Sequence, residues 1–480
     1  MCGDTMEIIL PDDEQGPLYR VLYRHIRGLI QAGILENGTK LPSIRSLREQ
    51  TTLSKTTIET AYHMLLEEGY IISRPRAGLF VIQAPSSSIA ADSSREYSLV
   101  KQAPAHRHAG PLPVQKERVI DFSLLAVDGA SFPIRAWKSV LHDALNINSS
   151  SIHQYGDPRG ELGLRMHLSH YLKQSRGVNC LPEQIVIGSG LSYSIQILSK
   201  LLDGVTSIAV EQAGIAQVRT IFQQHNLQVT PIPMDHNELI TQKLESKSIR
   251  AIYVTPTHRP IGNPLSYSIR QQLLHWASCK IGYIIEDDYD GEFRYTGKTI
   301  PSLQSLDQQG TVIYIGTFSK AFTPALRMNY MVLPIQLMNK LQSLEYALAS
   351  PSRIDQWAMQ LFMERGHWSR HIRRVRQIYR KKLAKLMFCI EKYLSSYVQV
   401  SNVSAGLHAE ITVKTKASTA ELIKLAAAED VHVYAPQDLS SLEGSYPKLY
   451  IGFGGVTEAE IEQGIRLLAK AWSNPEVISG

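Results

Sequence analysis

Four short segments between residues 188 and 320 carry side chains that could do chemistry, and each follows an apolar run. They are Gly188–Gly190, Thr255–His258, Glu286–Asp290 and Gly316–Lys320. Together they supply a lysine amine, several carboxylates beside a phenol, and a glycine turn that opens a helical stretch. Because ligands on open parallel sheets bind at the carboxyl ends of the strands, we expect these groups to form one site.

A pyridine aldehyde phosphate, pyridoxal 5'-phosphate (PLP), would use all of these groups. A lysine can form a Schiff base with the aldehyde, an aspartate can keep the ring nitrogen protonated, and a phenol can bond the ring hydroxyl. Phosphate binds helix N-terminal amides, hydroxyl groups and arginine. We therefore predict that Lys320 takes the aldehyde, Asp287 the ring nitrogen and Tyr289 the ring hydroxyl. The predicted phosphate ligands are Gly190, Leu191, Ser192, Thr317, Ser319 and Arg327.

The segments that must position these residues predict an α/β fold. Each residue alone has an ordinary structural explanation, since an acidic run is usually a solvated turn, but their order at successive strand ends favours a site. Short apolar runs rich in β-branched residues alternate with helical stretches, which predicts a mostly parallel sheet. The runs begin at Ile185, Ser207, Ala251, Tyr283, Val312 and Tyr330.

Composition bounds the class of protein. Of 480 residues, 44% are hydrophobic and 20% charged, which excludes wholesale disorder, and four widely separated cysteines give no disulfide framework. The N-terminus lacks the basic segment and apolar core of a secretion signal, and no apolar run is long enough to span a membrane, so we expect a cytoplasmic protein. Residues 85–118, with six serines and four prolines, predict a flexible linker between a head, 1–84, and a body, 119–480.

The head is predicted to fold as three helices and a β-hairpin. Apolar residues from Leu18 to Ile30 follow helical spacing, and Ser43 and Ser54 can each cap a following helix. The helix after Ser54 carries one apolar stripe, predicted to face inward: Ile58, Ala61, Tyr62, Leu65 and Leu66. Two apolar runs, 70–73 and 79–82, flank an Arg-Pro-Arg turn and predict the hairpin. This order describes a winged helix-turn-helix, whose third helix can enter the major groove of DNA by its first turn.

The pattern alone leaves DNA binding and protein binding both open, because helix–helix–hairpin modules also bind proteins. Residues 1–83 hold nine Arg or Lys against ten Asp or Glu, so net charge does not decide between them. If the head binds DNA, Lys55, Thr56 and Thr57 could reach base edges and Ser54 could reach phosphate. The side chains that could hold the DNA backbone or minor groove are Arg45, Arg74 and Arg76.

The head resembles that of GntR-type bacterial repressors over nearly all of residues 17–83. The resemblance rests on L-P-S-I-R-S-L, S-K-T-T-I-E-T-A-Y-H-M-L-L-E-E-G-Y-I and R-P-R-A-G-L-F-V. It implies operator binding through Arg45, Ser54, Lys55, Thr56, Thr57, Arg74, Arg76 and Gly78. The family usually has arginine where this chain has Lys55, and lysine cannot make the same bidentate contact with a base.

The body resembles the aminotransferase-like domain of MocR/GabR-type regulators over roughly residues 120–470. The motifs are Y-G-D-P-R-G (155–160), I-I-E-D-D-Y-D-G-E-F-R-Y (284–295) and Y-I-G-T-F-S-K-A-F-T-P-A-L-R (314–327). The resemblance implies a fold-type I body that binds PLP, in a head-to-tail homodimer in which each head reaches over the partner's body. It also implies that Tyr155 contacts the cofactor phosphate across the dimer interface.

Three features depart from this family. Residues 211–215 read E-Q-A-G-I where E-x-P-G-Y is common, so Ile215 replaces the aromatic neighbour of the ring. The turn at 255–262 is one residue short, which leaves His258 as the expected neighbour of the ring hydroxyl. Aminotransferases of this fold normally bind the substrate carboxylate with a C-terminal arginine, and residues 401–480 contain only Arg466. We therefore expect this arginine clamp to be missing.

Residues 365–382 hold eight Arg or Lys and no acidic residue. Helical spacing places Ile372, Val375 and Tyr379 on one face and several arginines opposite, which predicts a solvated helix face. A non-specific groove for operator DNA is the alternative interpretation.

The sequence as a whole predicts a PLP-dependent transcription regulator that binds operator DNA and senses PLP or an amine or amino-acid-type effector. An active aminotransferase with an accessory DNA-binding head is the alternative. A body that has lost the cofactor and only dimerises is a third interpretation. The retained Lys320, Asp287, Tyr289 and Arg327 argue against the third interpretation, and the missing arginine clamp argues against the enzyme.

Overall fold

The computed structural model divides the chain into two compact units, Met1–Leu112 and Pro113–Gly480. The predicted linker, residues 85–118, lies outside the residues that the structure describes, as do Arg76 and His258. The described residues are 17–51, 53–74, 77–82, 119–212, 215–234, 237–245, 248–257, 264–295, 300–401, 405–435 and 446–473.

The head has the predicted three helices and hairpin. They are α1 (Leu18–Gln31), α2 (Ile44–Gln50), α3 (Lys55–Glu67), β1 (Ile71–Arg74) and β2 (Gly78–Val81). Both predicted caps form: Ser43 Oγ accepts a hydrogen bond from the Ser46 amide at 3.1 Å, and Ser54 Oγ accepts one from the Thr57 amide at 3.2 Å. These bonds satisfy amides that a helix start leaves without partners, so they fix where α3 begins.

The core of the head joins the helices to the hairpin. Leu22 of α1, Ile58 and Leu65 of α3, and Ile71 of β1 are fully or almost fully buried in one cluster. Leu66, which the spacing predicts to face inward, is only half-buried. The apolar face of α3 therefore holds the helix against the core and leaves its first turn exposed.

A third extended segment completes the small sheet of the head. Residues 38–41 run antiparallel to β2, with Lys40 opposite Phe80 and a hydrogen bond from the Leu41 amide to the Leu79 carbonyl at 2.9 Å. No pattern in the sequence predicted this pairing. It places Lys40 beside the tip of the hairpin, because Lys40 Cε lies 3.2 Å from where a side chain at Gly78 would begin.

The first part of the body alternates strands and helices as predicted. Its elements are β3 (Ile120–Asp121), α4 (Ile134–Ile147), α5 (Leu162–Arg176), β4 (Ile185–Gly188), α6 (Leu191–Leu201), β5 (Ser207–Glu211), α7 (Ala216–Gln224), β6 (Gln228–Ile232), α8 (Asn237–Glu245), β7 (Ala251–Val254), α9 (Tyr267–Lys280), β8 (Tyr283–Asp288), β9 (Val312–Thr317), β10 (Asn329–Val332), α10 (Ile335–Ser343) and α11 (Arg353–Glu364).

Seven of these strands form one sheet in the order β4-β10-β9-β8-β7-β5-β6. β10 runs antiparallel to both of its neighbours, and the other pairs are parallel. Residues of α6, α7 and α10 cover one face, and residues of α5, α9 and α11 lie on the other. The sequence did not predict β6, an edge strand that contains Pro231 and is only partly buried.

The C-terminal part forms a smaller α+β subdomain. Its elements are α12 (His367–Leu394), β11 (Val398–Val400), β12 (His408–Val413), α13 (Thr419–Ala428), β13 (Val431–His432), β14 (Lys448–Gly452) and α14 (Glu458–Trp472). β11, β12 and β14 form an antiparallel sheet, and β13 pairs with β3. Capping boxes at Ser418 and Thr457 begin α13 and α14.

The basic segment lies at the start of α12. Ile372, Val375 and Tyr379 are buried, as their spacing predicts. The prediction of a solvated opposite face is incomplete, because Arg376 donates to the Glu292 carbonyl at 2.8 Å and Arg380 donates to the Tyr295 carbonyl at 3.1 Å. Part of the positive charge therefore ties α12 to the segment that follows β8. Within the described part of the chain, no helix combines the length and apolar character needed to cross a bilayer.

Candidate functional site

Three adjacent strands bring the predicted phosphate ligands to one edge of the sheet. Gly188 at the end of β4 and Thr317 at the end of β9 are both paired with Asn329 at the start of β10. The Asn329 side chain accepts from the Gly190 amide at 3.0 Å and donates to Ser194 Oγ at 2.7 Å. Sequence reasoning missed Asn329, which holds the first turn of α6 against β10.

The turn before α6 forms a cradle that suits phosphate. Gly190 has φ +126°, and a side chain there would begin 2.9 Å from the Arg327 guanidinium, so only glycine allows this approach. α6 begins at Leu191, and Ser192 Oγ accepts from Gln217 at 2.8 Å. An arginine at a helix N-terminus combines a bidentate donor with free amides and the positive end of the helix dipole.

Thr317, Ser319 and Lys320 follow β9 at the same edge. Thr317 Oγ1 accepts from the Ser319 amide at 3.1 Å, which turns the chain as it leaves the strand. Lys320 Nζ donates to the Leu124 carbonyl at 2.6 Å. Burial lowers the pKa of the Lys320 amine to about 8, although the charge of Asp290 acts in the opposite direction. A larger fraction of this amine is therefore neutral and nucleophilic near neutral pH.

Asp287 is the last but one residue of β8 and lies beside Tyr253 of β7, whose phenol donates a hydrogen bond to Asp287 Oδ2. Burial raises the pKa of Asp287 to about 7; the bond from Tyr253 lowers it, and the charges of Asp288, Asp290 and Glu211 act with burial. Such a carboxyl group suits a ring nitrogen with which it must share a proton.

The other carboxylates of this cluster have structural partners. Asp288 forms a buried ion pair with Arg176 at 2.6 Å and accepts from Tyr314 at 2.7 Å. Glu286 accepts from the amides of Leu303 and Gln304, at 2.7 and 2.8 Å. The acidic run is thus a buried framework, in contrast to a solvated turn, and it supports Asp287 from both sides.

Tyr289 lies after β8 and is half-buried. Burial, followed by the charges of Asp290 and Asp287, raises its pKa well above the usual value, and Tyr450 of β14 acts on it in the same direction. The phenol therefore keeps its proton and can donate a hydrogen bond. Tyr450 also shows that the C-terminal subdomain reaches this edge of the site.

The structure places the remaining predicted residues differently. Tyr155 is fully exposed, which suits a residue that acts outside its own chain. Ile215 is half-buried at the start of α7. Arg466 is bound to Glu462 at 2.6 Å and to the Tyr393 phenol at 2.9 Å on the outer side of α14. His258 and Arg259 lie outside the described residues.

Arg76 lies outside the described residues, and Thr57 is half-buried; the other predicted DNA contacts of the head are exposed at the start of α2, the start of α3 and the hairpin. Lys55 is 3.5 Å from Glu59, and Arg45 is 3.3 Å from Glu49; both pairs are exposed and weak enough to exchange for phosphate. The Arg74 guanidinium lies 4.7 Å above the Phe80 ring. Lys40, beside Gly78, adds a positive charge that the sequence did not reveal because the pairing of residues 38–41 with β2 is long-range.

Comparisons with known families match both parts of the chain. Residues 18–81 match the family described as bacterial regulatory proteins, gntR family, and residues 119–464 match aminotransferase class I and II. The solved kynurenine aminotransferase of Pyrococcus horikoshii, in complex with PMP, superposes with a TM-score of 0.66 at 22% identity, covering 74% of this chain and 90% of that one. This likeness shows the fold of the body.

Two relatives align with this chain over nearly their whole length. The HTH-type transcriptional regulator YdeL of Bacillus subtilis is 37% identical over 95% of this chain and 97% of its own length. The probable rhizopine catabolism regulatory protein MocR of Rhizobium meliloti is 27% identical over 97% and 96%. The protein is therefore a transcription regulator of the HTH type with an aminotransferase-like body. It belongs to the HTH-type regulators that join a gntR head to an aminotransferase class I and II body, and MocR is among its relatives, as its motifs predict.

Proposed function

We propose that this regulator binds PLP through Lys320 and that occupancy of the site, by PLP alone or by an amine or amino-acid-type effector, changes operator binding by the head. One observation carries the proposal. A half-buried lysine with a lowered pKa, a buried aspartate and an arginine–glycine cradle occupy the same edge of one sheet. When bound there, PLP supplies an electron-withdrawing ring and an aldehyde that reacts with amines.

Each residue has a distinct role in the proposed site. Lys320 attaches the cofactor, Asp287 faces the ring nitrogen, and Tyr289 donates to the ring hydroxyl. His258 is the second neighbour proposed for that hydroxyl. The proposed phosphate ligands are Gly190, Leu191, Ser192, Thr317, Ser319 and Arg327, with Tyr155 from the partner of a head-to-tail homodimer.

In the proposed arrangement, residues 1–84 bind DNA, residues 85–118 link the head to the body, and residues 119–480 bind the cofactor and dimerise. We propose that the protein acts in the cytoplasm. The gntR match of the head supports operator binding.

Sensing is favoured over turnover because Arg466, the one arginine among residues 401–480, is already engaged by Glu462 and Tyr393. Transamination needs the amino acid held with its reacting bond aligned, and much of the rate comes from that geometry. A sensor needs only different affinities for two states. The second candidate, an active aminotransferase, is favoured only by the half-buried Lys320 and the buried Asp287.

Addition of PLP to the cofactor-free, full-length protein is expected to change operator affinity by about 5- to 150-fold, the usual range for coupled sites. The operator would come from selection in a random duplex library, and fluorescence anisotropy would report its affinity. Pyridoxine 5'-phosphate, which lacks the aldehyde, is the matched control and should act weakly. Rapid multiple turnover of an amino acid and a keto acid that depends on Lys320 would support the enzyme instead.

Substitutions in the first turn of α3 are expected to separate base reading from backbone contact. Lys55→Ala or Thr57→Ala should each cost about 1–3 kcal/mol on the operator and little on random DNA, because a good base contact is worth that much. Arg76→Ala and Lys40→Ala should weaken binding to the operator and to random DNA by similar factors, and should make DNA affinity less dependent on salt. Gel shifts with equal losses on both DNAs for every variant would exclude base reading by α3.

A further inference from the structure

Tyr253 is a buried tyrosine to which the sequence assigned no role. It lies in β7, inside the apolar run Ala251–Val254, and is 1% exposed. Its phenol crosses to the adjacent strand β8 and donates to Asp287 Oδ2. The acceptor is the carboxylate that the proposed site directs at the cofactor ring nitrogen, so Tyr253 acts on the ring only through Asp287.

The surroundings of Asp287 are rich in negative charge. Glu211 approaches from β5, where it accepts from Thr255 Oγ1 at 2.7 Å, and Asp288 and Asp290 follow Asp287 along the chain. Tyr289 adds a phenol, and Lys320 after β9 lies near Asp290. Arg176 is committed to Asp288. Ionisation of Asp287 in this negative cluster is therefore unfavourable, and a hydrogen-bond donor that stabilises its carboxylate matters.

We propose that Tyr253 is a positioning residue that keeps Asp287 ionised and turned towards the ring nitrogen, so that the site accepts a ring with a protonated nitrogen. This inference rests on the proposed binding of PLP. The phenol donates throughout the working pH range, because burial and the neighbouring charge of Asp287 raise the pKa of Tyr253 well above its usual value. A hydrogen bond to the carboxylate also opposes the effect of burial on Asp287, whose pKa is about 7.

Removal of the phenol should therefore make cofactor binding depend on pH in a defined way. Without this donor, Asp287 stays protonated to higher pH, and a protonated carboxyl group cannot pair with a protonated ring. The loss should be large below the pKa of Asp287 and should vanish once Asp287 is ionised in both proteins. A residue that only fills space would weaken binding by the same factor at every pH.

The experiment compares Tyr253→Phe with the wild-type chain. PLP affinity of the cofactor-free, full-length proteins is measured by absorbance and intrinsic fluorescence from pH 6 to pH 9.5, and thermal unfolding checks that each variant folds. The ratio of the two dissociation constants cancels the titration of Lys320 and of free PLP. Tyr314→Phe is the matched control, because its buried phenol donates to Asp288 at 2.7 Å in the same cluster.

For Tyr253→Phe, we expect about tenfold weaker binding at pH 6, the factor that corresponds to one pKa unit, and a ratio near one above pH 9. Tyr314→Phe should give a ratio that does not vary with pH. A flat ratio for Tyr253→Phe, or the same pH dependence in both variants, would overturn the role of Tyr253 while leaving PLP binding intact. Absence of PLP binding by the wild-type chain at every pH would overturn the proposed function and this inference together.

Discussion

Replacement of Lys320 by alanine is expected to abolish covalent retention of PLP and the yellow absorbance that accompanies it. The reason is the state of the amine: with a pKa of about 8, its neutral fraction at pH 7 exceeds that of an ordinary exposed lysine by roughly two orders of magnitude. Its position after β9 also places the amine at the edge shared by Asp287 and the Arg327 cradle.

The measurement is reduction with borohydride followed by peptide mass spectrometry. In the wild-type protein the label should lie on Lys320, and the Lys320→Ala protein should carry none while unfolding at a similar temperature. Lys382 is the internal control, since it is also buried with a pKa lowered by burial but donates to the Gly454 carbonyl at 2.9 Å. Label on Lys382, or a reducible chromophore that survives Lys320→Ala, would contradict the assignment.

The sequence predicted the parts of this molecule that depend on neighbours in the chain. The caps at Ser43 and Ser54 and the apolar stripe of α3 are local patterns. They predicted the bounds of α2 and α3 to within one or two residues. The strand ends pointed to Asp287 and Lys320 as candidate site residues for the same reason, because side chains at a sheet edge follow directly after an apolar run.

Residues that act across the chain were missed. Tyr253 reads as one more apolar strand residue until β7 and β8 are paired, and Asn329 reads as the start of a strand until β10 is seen between β4 and β9. The residues around Lys40 have the pattern of an exposed loop, and only the pairing of Lys40 with Phe80 places it beside the hairpin tip. Sequence spacing carries no information about such register, which depends on the pairing of strands distant in the chain.

The ion pair between Arg176 and Asp288 also joins residues that are distant in the chain, and we expect its loss to destabilise the body. The two residues are 112 positions apart, and their side chains are 2% and 1% exposed. Arg176 also donates to Thr257 Oγ1 at 3.0 Å and to the Gly291 carbonyl at 3.3 Å, so it ties the end of α5 to the segments after β7 and β8. This network holds the acidic framework that presents Asp287.

Asp288→Ala is expected to lower the free energy of unfolding of the body by about 3–5 kcal/mol, because it leaves the Arg176 guanidinium buried without its counter-charge. Replacing both partners, as in Arg176→Met with Asp288→Leu, should cost less than the sum of the two single changes, since no charge then stays buried alone. Urea unfolding of the cofactor-free protein measures both. Lys470→Ala is the control, because its pair with Glu429 at 2.8 Å is exposed and should be worth at most about 1 kcal/mol. If Asp288→Ala costs no more than Lys470→Ala, the ion pair does not secure the site. A loss in the expected range accompanied by weaker PLP binding would mean that the position of Asp287 depends on the ion pair between Arg176 and Asp288.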